Sequence, residues 1–143
     1  MKFLLDTNVV SEWVKLKPNA NVVRWLADMD EDQVYLSVVT FAEIQQGIYE
    51  MPSGRRRDSL ESWLNDDLFL RFEGRILDVD LAVAGAWGAL MAQSTKMGMN
   101  LNVMDAFIAA TARVHPVTLT TRNTKHFTKL DVSLANPWVD EIN

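Results

Sequence analysis

The sequence contains no cysteine and only two histidines. The first absence excludes disulfides, thiolate zinc sites, iron–sulfur clusters and a cysteine nucleophile. The second leaves little scope for histidine-rich metal chemistry or a histidine proton relay. Long hydrophobic runs are missing too. The longest apolar stretch, Leu81 to Ala92, contains Gly85 and Gly88 and falls short of the ~20 residues that span a bilayer. The early acid at Asp6 cuts off any secretory h-region, so a cytoplasmic protein with no membrane association is expected. Basic residues are in the minority, 14 against 19 acids, for a net charge of −5. That balance argues against a protein that coats nucleic acid by charge. It leaves room for an enzyme that touches nucleic acid locally, particularly one whose metal ions carry positive charge. No repeat, low-complexity tract or Pro/Gly/Ser linker divides the 143 residues, so a single domain over 1–143 is expected. Hydrophobic residues make up 48% and charged residues 23%, an ordinary globular balance. A chain of this length buries roughly 68–70% of its unfolded surface.

Short apolar runs alternate with helical patterns. Phe3-Leu4-Leu5 ends abruptly at Asp6, as a buried parallel strand does. Thr7, Asn8 and Ser11 supply turn and capping chemistry before a short helix through Trp13, and Pro18 breaks it. Asn19 or Asn21 caps a helix carrying Val22, Val23, Trp25 and Leu26. Val34-Tyr35-Leu36 is a second strand, followed by a helix from Thr40 to about Tyr49. After Pro52-Ser53-Gly54, Arg55-Arg56-Arg57 opens a longer helix whose Leu60, Trp63, Leu64 and Leu68 form one buried stripe. Arg75 to Val79 is a third strand candidate, and an alanine-rich helix runs from about Leu81 to Met97. Asn102 caps another helix, ended by His115-Pro116, and Val117 to Thr120 is a fourth strand. This alternation calls for an α/β fold of three layers, α/β/α, around a mainly parallel sheet. Ligands then bind at the carboxyl edge of the strands.

Three acids stand out against this frame. Asp6 directly follows the first strand, Glu43 lies within the apolar run from Val38 to Ile44, and Asp105 sits in the first turn of an almost wholly apolar helix. Each has a plain structural reading. Asp6 can cap the following turn, Glu43 can be a polar helix edge beside Gln45 and Gln46, and Asp105 can favour the helix N-terminus. Together they carry a functional argument, because all three emerge near the same sheet edge with few basic residues to pair them. Crowded carboxylates repel and raise at least one pKa unless a cation is present. Oxygen-only ligands select hard ions, so Mg²⁺ or Mn²⁺ is the expected occupant. Such an ion activates water or clamps a phosphate oxygen, which suits phosphodiester chemistry without histidine, cysteine or serine nucleophiles. The polar segment Thr120 to Phe127 follows the last strand onto the same edge. There Arg122, Lys125 and His126 are placed to meet phosphate oxygens and Asn123 to orient a water, unless the segment is only a solvated loop. Arg55, Arg56 and Arg57 form an RNA-facing patch, a solvated helix start or a docking patch for a partner.

Leu4 to Glu12, Ser37 to Ile44, Met104 to Ala112 and Leu119 to Phe127 resemble, in order, the four motifs of PIN-domain ribonucleases. The nearest resemblance is to VapC-type toxins of bacterial type II toxin–antitoxin modules, including the FitB-like branch, whose ending Asn136-Pro137-Trp138 also matches. The resemblance implies a Mg²⁺- or Mn²⁺-dependent endoribonuclease that hydrolyses RNA phosphodiester bonds. It implies Asp6 and Asp105 as metal ligands, with Glu43 binding metal or orienting the nucleophile. Asn8 resembles the residue that supports the first aspartate and stands with Arg122 on the substrate side. Many relatives carry aspartate where this chain has Asn123, a lost charge that weakens the case for a second metal. The resemblance further implies a homodimer and a cognate antitoxin protein that threads a segment into the active-site groove.

Other readings compete. A haloacid-dehalogenase-like phosphatase wants an acid at position 8, where this chain has Asn8. A receiver domain wants its phosphoacceptor after a later strand and a lysine near the end. A catalytically weak PIN-like binding module acting through a partner protein is favoured only by Asn123 and the acidic charge balance.

Overall fold

The computed structural model describes residues 1–140; the last three residues of the expected 1–143 domain, Glu141, Ile142 and Asn143, lie outside the described residues. Five strands form one sheet: β1 (Phe3–Leu5), β2 (Val34–Ser37), β3 (Ile76–Leu77), β4 (Thr118–Thr120) and β5 (Leu134–Ala135). Their order is β3-β2-β1-β4-β5, and every pairing is parallel. The chain therefore builds outward from β1 in one direction through β2 and β3. It then crosses over to β4 and β5 on the other side. The seam between β1 and β4 is the topological switch point, where an open parallel sheet leaves room for ligands beyond its strand ends.

Alternation along β1 divides the interior. Leu4 faces a core completed by α6 (Leu81–Lys96) and α7 (Val103–Val114), through Val83, Leu90, Ala106 and Ile108. Leu5 faces the opposite core, filled by Val22 and Trp25 of α2 (Ala20–Asp28), Ile48 of α3 (Val38–Glu50) and Phe72. Successive strand residues point to opposite faces, so a two-sided sheet makes both leucines fully buried. The expected three layers are present.

Several elements differ in detail from the sequence expectation. The first turn of helix, α1 (Thr7–Val10), begins directly after Asp6 and tightens into a 3₁₀ turn over Ser11–Val14. The third strand covers only Ile76 and Leu77 of the expected Arg75 to Val79. The Arg75 carbonyl still accepts from the Leu36 amide at 3.0 Å, while its guanidinium reaches the carbonyls of Val34, at 2.6 Å, and Arg71, at 2.7 Å. The long helix runs as α4 (Arg55–Ser62), a π-helical stretch at Trp63–Leu68 and α5 (Phe69–Arg71). Leu64 and Leu68 are buried in that stretch, so the predicted stripe holds through the change of pitch. The strand β5 was not anticipated. The face of α6 that carries Ala82, Gly85, Ala89 and Ala92 is exposed, and a methyl group added at Gly85 or Gly88 would meet nothing within 4 Å. No helix is long and apolar enough to cross a membrane among the described residues.

Candidate active site

The register of the sheet builds the site. β1 and β4 pair Leu5 with Thr120, so the next residues, Asp6 and Thr121, leave the sheet side by side. Both are buried. The Thr121 hydroxyl donates to Asp6 Oδ2 at 2.8 Å, and the Thr7 amide donates to Oδ1 at 2.8 Å. Asp6 is thus the N-cap of α1, which confirms its plain structural reading without exhausting its role. Asn8 ties the arrangement together: its Nδ2 lies 3.4 Å from Asp6 Oδ2 and 3.3 Å from Thr121 Oγ1. Its Oδ1 accepts from the Arg122 amide at 3.2 Å, which fixes the loop after β4.

Helix α3 starts where β2 ends, capped by Ser37, whose hydroxyl accepts from the Val39 amide. Thr40 and Glu43, three residues apart, therefore share one face. The Thr7 hydroxyl meets both, donating to Glu43 Oε1 at 2.7 Å and lying 3.3 Å from Thr40 Oγ1. From the other side, Asn102 caps α7 by accepting from the amides of Met104 and Asp105. That cap sets Asp105 in the first turn, where His126 Nδ1 approaches its Oδ2 to 3.3 Å. The positive ends of α1, α3 and α7 all face this edge and offset part of the repulsion among the acids.

Burial pushes the Asp6 carboxyl up from 3.8 to about 6, against the Thr121 and Thr7 hydrogen bonds that lower it. The negative charges of Asp105 and Glu43 contribute smaller upward pushes within that shift, so both acids lie within electrostatic reach of Asp6. The three do not already form a cage. No three histidine, aspartate or glutamate side chains enclose an ion-sized space among the described residues. Nor does any lysine or arginine pair with these acids among the described residues. A partly desolvated carboxyl flanked by two more, with no cation of its own, fits a hard divalent ion.

The rest of the expected site lies on the rim. Asn123 is exposed and donates its amide to Thr121 Oγ1 at 3.1 Å. Arg122 holds its guanidinium 5.3 Å over the Trp138 ring. Lys125 is exposed. Of the three consecutive arginines, Arg56 bonds the Val14 carbonyl, and Arg57 reaches the Met51 carbonyl and lies over Tyr49. Both tie their own helix to neighbouring segments. A larger cavity of about 460 Å³, lined by Met1, Lys2, Tyr35, Leu77, His115, Pro116 and Val117, lies at the opposite edge of the sheet and contains no acid.

Sequence reasoning passed over Glu12. Its side chain is 2% exposed, accepts from the Asn19 amide at 2.8 Å and pairs with Lys15. Burial raises its carboxyl, but Lys15, the Asn19 amide and the Arg122 charge outweigh burial and hold it below the ordinary value. A depressed folded pKa adds stability above the unfolded pKa, and that stability is lost as pH falls through the folded one. Glu12→Ala should therefore cost about 2 kcal/mol in urea unfolding at neutral pH. The gap to wild type should close on acidification below the ordinary glutamate range.

Residues 3–132 match the family model described as the PIN domain. The chain belongs to the PIN domain family. It is 38% identical to "Toxin FitB" of Neisseria gonorrhoeae, over 96% of this chain and 99% of that protein. It is 36% identical to "VapC ribonuclease Y4jK" of Sinorhizobium fredii, over 94% and 96%. The crystal structure of FitAcB from Neisseria gonorrhoeae superposes with a TM-score of 0.91 at 37% identity, covering 96% of this chain and 99% of that one. The chain is thus similar to a protein named as a toxin and one named as a ribonuclease over nearly their full lengths.

Proposed function

We propose that this PIN domain is the toxin of a type II toxin–antitoxin module and acts as a Mg²⁺- or Mn²⁺-dependent endoribonuclease. The observation that carries the reading is Asp6: a buried acid at the switch point, pushed up to about 6 chiefly by burial, with Glu43 and Asp105 beside it and no lysine or arginine paired with any of the three among the described residues. The names of the relatives support RNA as substrate.

In this reading Asp6 and Asp105 hold the ion. When bound, it supplies Lewis-acid stabilisation of phosphoryl charge and acidifies water. The protein's own residues do the rest. Thr121 and Thr7 lock the two Asp6 oxygens in place, so little rearrangement is needed when charge develops. Glu43, aimed by Thr7, orients the attacking water and accepts its proton. Asn8 fixes the loop that carries Arg122 and Asn123, which meet the phosphate and its water from the rim. Asn123 brings no charge to the rim, so a second ion would be held less strongly than one between Asp6 and Asp105.

The cognate antitoxin binds across this acidic edge, where an arginine side chain satisfies the carboxylates as a cation does. The exposed small-residue face of α6 supports a homodimer, since Gly85 and Gly88 leave room for a helix of a second copy. Sedimentation of the antitoxin-free protein at monomer mass would overturn that assembly. The site chemistry suits a cytoplasmic protein acting on cellular RNA.

The test is cleavage of a mixed RNA pool by protein freed of any partner, with Mg²⁺, with Mn²⁺ and with chelator. Cutting that requires metal and disappears in Asp105→Asn is the expected result. Metal-independent cutting, or full activity in the variant, would sink the assignment.

A further inference from the structure

Beside the carboxylates lies a cavity of about 130 Å³, lined by Met99, Asn100, Leu101, Asn102, Asp105 and His126. We infer that it is a subsite for one nucleobase of the RNA, and that Asn100 and His126 select which base enters. The inference rests on the RNA-cleaving reading above.

Position gives the first argument. Asp105 is a wall of the cavity and a member of the carboxylate cluster. A phosphate held at the cluster therefore brings the base of an adjoining nucleotide to the cavity mouth. Size gives the second. At about 130 Å³ the space is well below the 460 Å³ of the cavity at the opposite sheet edge, and it is of the scale of one planar heterocycle.

The walls are built in advance. Ser94, in the polar last turn of α6 with Gln93, Thr95 and Lys96, is only 3% exposed. Its hydroxyl donates to the Met99 carbonyl at 3.3 Å and accepts from the Leu101 amide at 3.3 Å, while its carbonyl accepts from the Met99 amide at 2.8 Å. Gly98, at φ +68°, makes the turn that lets the chain double back in this way. One buried serine thus pins the loop on both sides of Asn100.

Chemistry gives the third argument. Met99 and Leu101 offer an apolar surface to a flat ring. The Asn100 side chain is exposed and makes no hydrogen bond among the described residues. Its amide presents a donor and an acceptor side by side, the pair that reads a base edge. His126 uses Nδ1 toward Asp105, with its side chain 56% exposed, so the ring remains open to stacking. RNA readers splay single-stranded bases onto aromatic rings and hydrogen-bond their edges in this manner.

The test uses short RNAs with a single cut site, varied through all four bases on each side of the scissile bond. Wild type should prefer one base at one flanking position by about tenfold, and Asn100→Ala should flatten that preference to within about threefold. Met99→Trp, which fills the cavity, should flatten it as well. In chelator, without turnover, the nucleoside of the preferred base, which carries no phosphate for the bare carboxylates to repel, should shift the NMR signals of the Asn100 amide and the His126 ring. Cutting with the same base ratio in wild type and both variants would overturn the subsite and leave the nuclease standing. Failure of the wild type to cut any RNA would overturn the nuclease reading, and the subsite with it.

Discussion

Asp6→Asn should silence RNA cleavage and, in the metal-free protein at neutral pH, raise stability at the same time. The loss of activity should reach at least ~10²–10³, the scale on which removal of one positioned charge-stabilising group acts. The gain in stability follows from the same carboxyl. Burial, reinforced by Asp105 and Glu43, lifts it from 3.8 to about 6 in the folded protein despite the Thr121 and Thr7 hydrogen bonds. A raised pKa means that the folded state binds the proton more tightly than the unfolded one. The associated stability is fully present below about pH 4 and is lost as pH rises through about 6. At neutral pH the ionised Asp6 therefore costs the fold up to about 3 kcal/mol.

Asparagine removes that cost with no change of volume. Its carbonyl still accepts from the Thr7 amide, but its amide meets a Thr121 hydroxyl whose two lone pairs already accept from Asn8 and Asn123, so that contact must rearrange and takes back part of the gain. The long contact from Asn8, at 3.4 Å, becomes donor against donor and takes back a fraction of the gain. Urea unfolding in chelator at pH 4 and pH 7.5 checks this. The two proteins should converge at the lower pH, with the variant ahead at the higher. A variant no more stable than wild type at pH 7.5 would mean that Asp6 carries no uncompensated charge, and the case for a cation at this edge would fail.

How far this site could be read from sequence depends on what each residue does. Asp6, Glu43 and Asp105 were legible because an acid inside an apolar run violates the local pattern, and pattern is what sequence shows. Thr121, Thr7 and Thr40 were not, although their hydroxyls aim or bridge those acids. A threonine at a strand end or in a first helical turn is in pattern, and only the β1–β4 register makes Thr121 a neighbour of Asp6. Glu12 was missed for a related reason. Its burial depends on contacts with Lys15 and Asn19 across a 3₁₀ turn whose path the sequence does not specify. Among the elements, β5 escaped notice because two residues bonded to an edge have no periodicity to detect, and Asp131, at φ 51°, is an uncommon αL residue. The long helix was read correctly as a stripe, yet its π-helical stretch was invisible. A single wider turn changes pitch without disturbing which leucines are buried.

A divalent ion should compete directly with the proton on Asp6. Binding requires the carboxylate, so affinity should be nearly independent of pH well above 6 and fall by up to tenfold per pH unit below it. Ion at 100 times its dissociation constant should stabilise the fold by about 2.7 kcal/mol, nearly cancelling the cost of keeping Asp6 ionised. Asp105→Asn keeps the titrating group but removes a ligand. Its metal-free stability should therefore rise only slightly, while the response to the ion disappears. Calorimetry with Mn²⁺ at pH 5 and pH 7.5, on wild type and both aspartate variants, separates these contributions without reference to turnover. Equal affinity at the two pH values would place the ion away from Asp6. Retained binding in Asp105→Asn would remove Asp105 from the ligand set and leave Glu43 as the second carboxylate. The expected pattern, a proton-linked ion lost in either variant, makes one buried acid responsible for both the instability of the empty site and the affinity of the filled one.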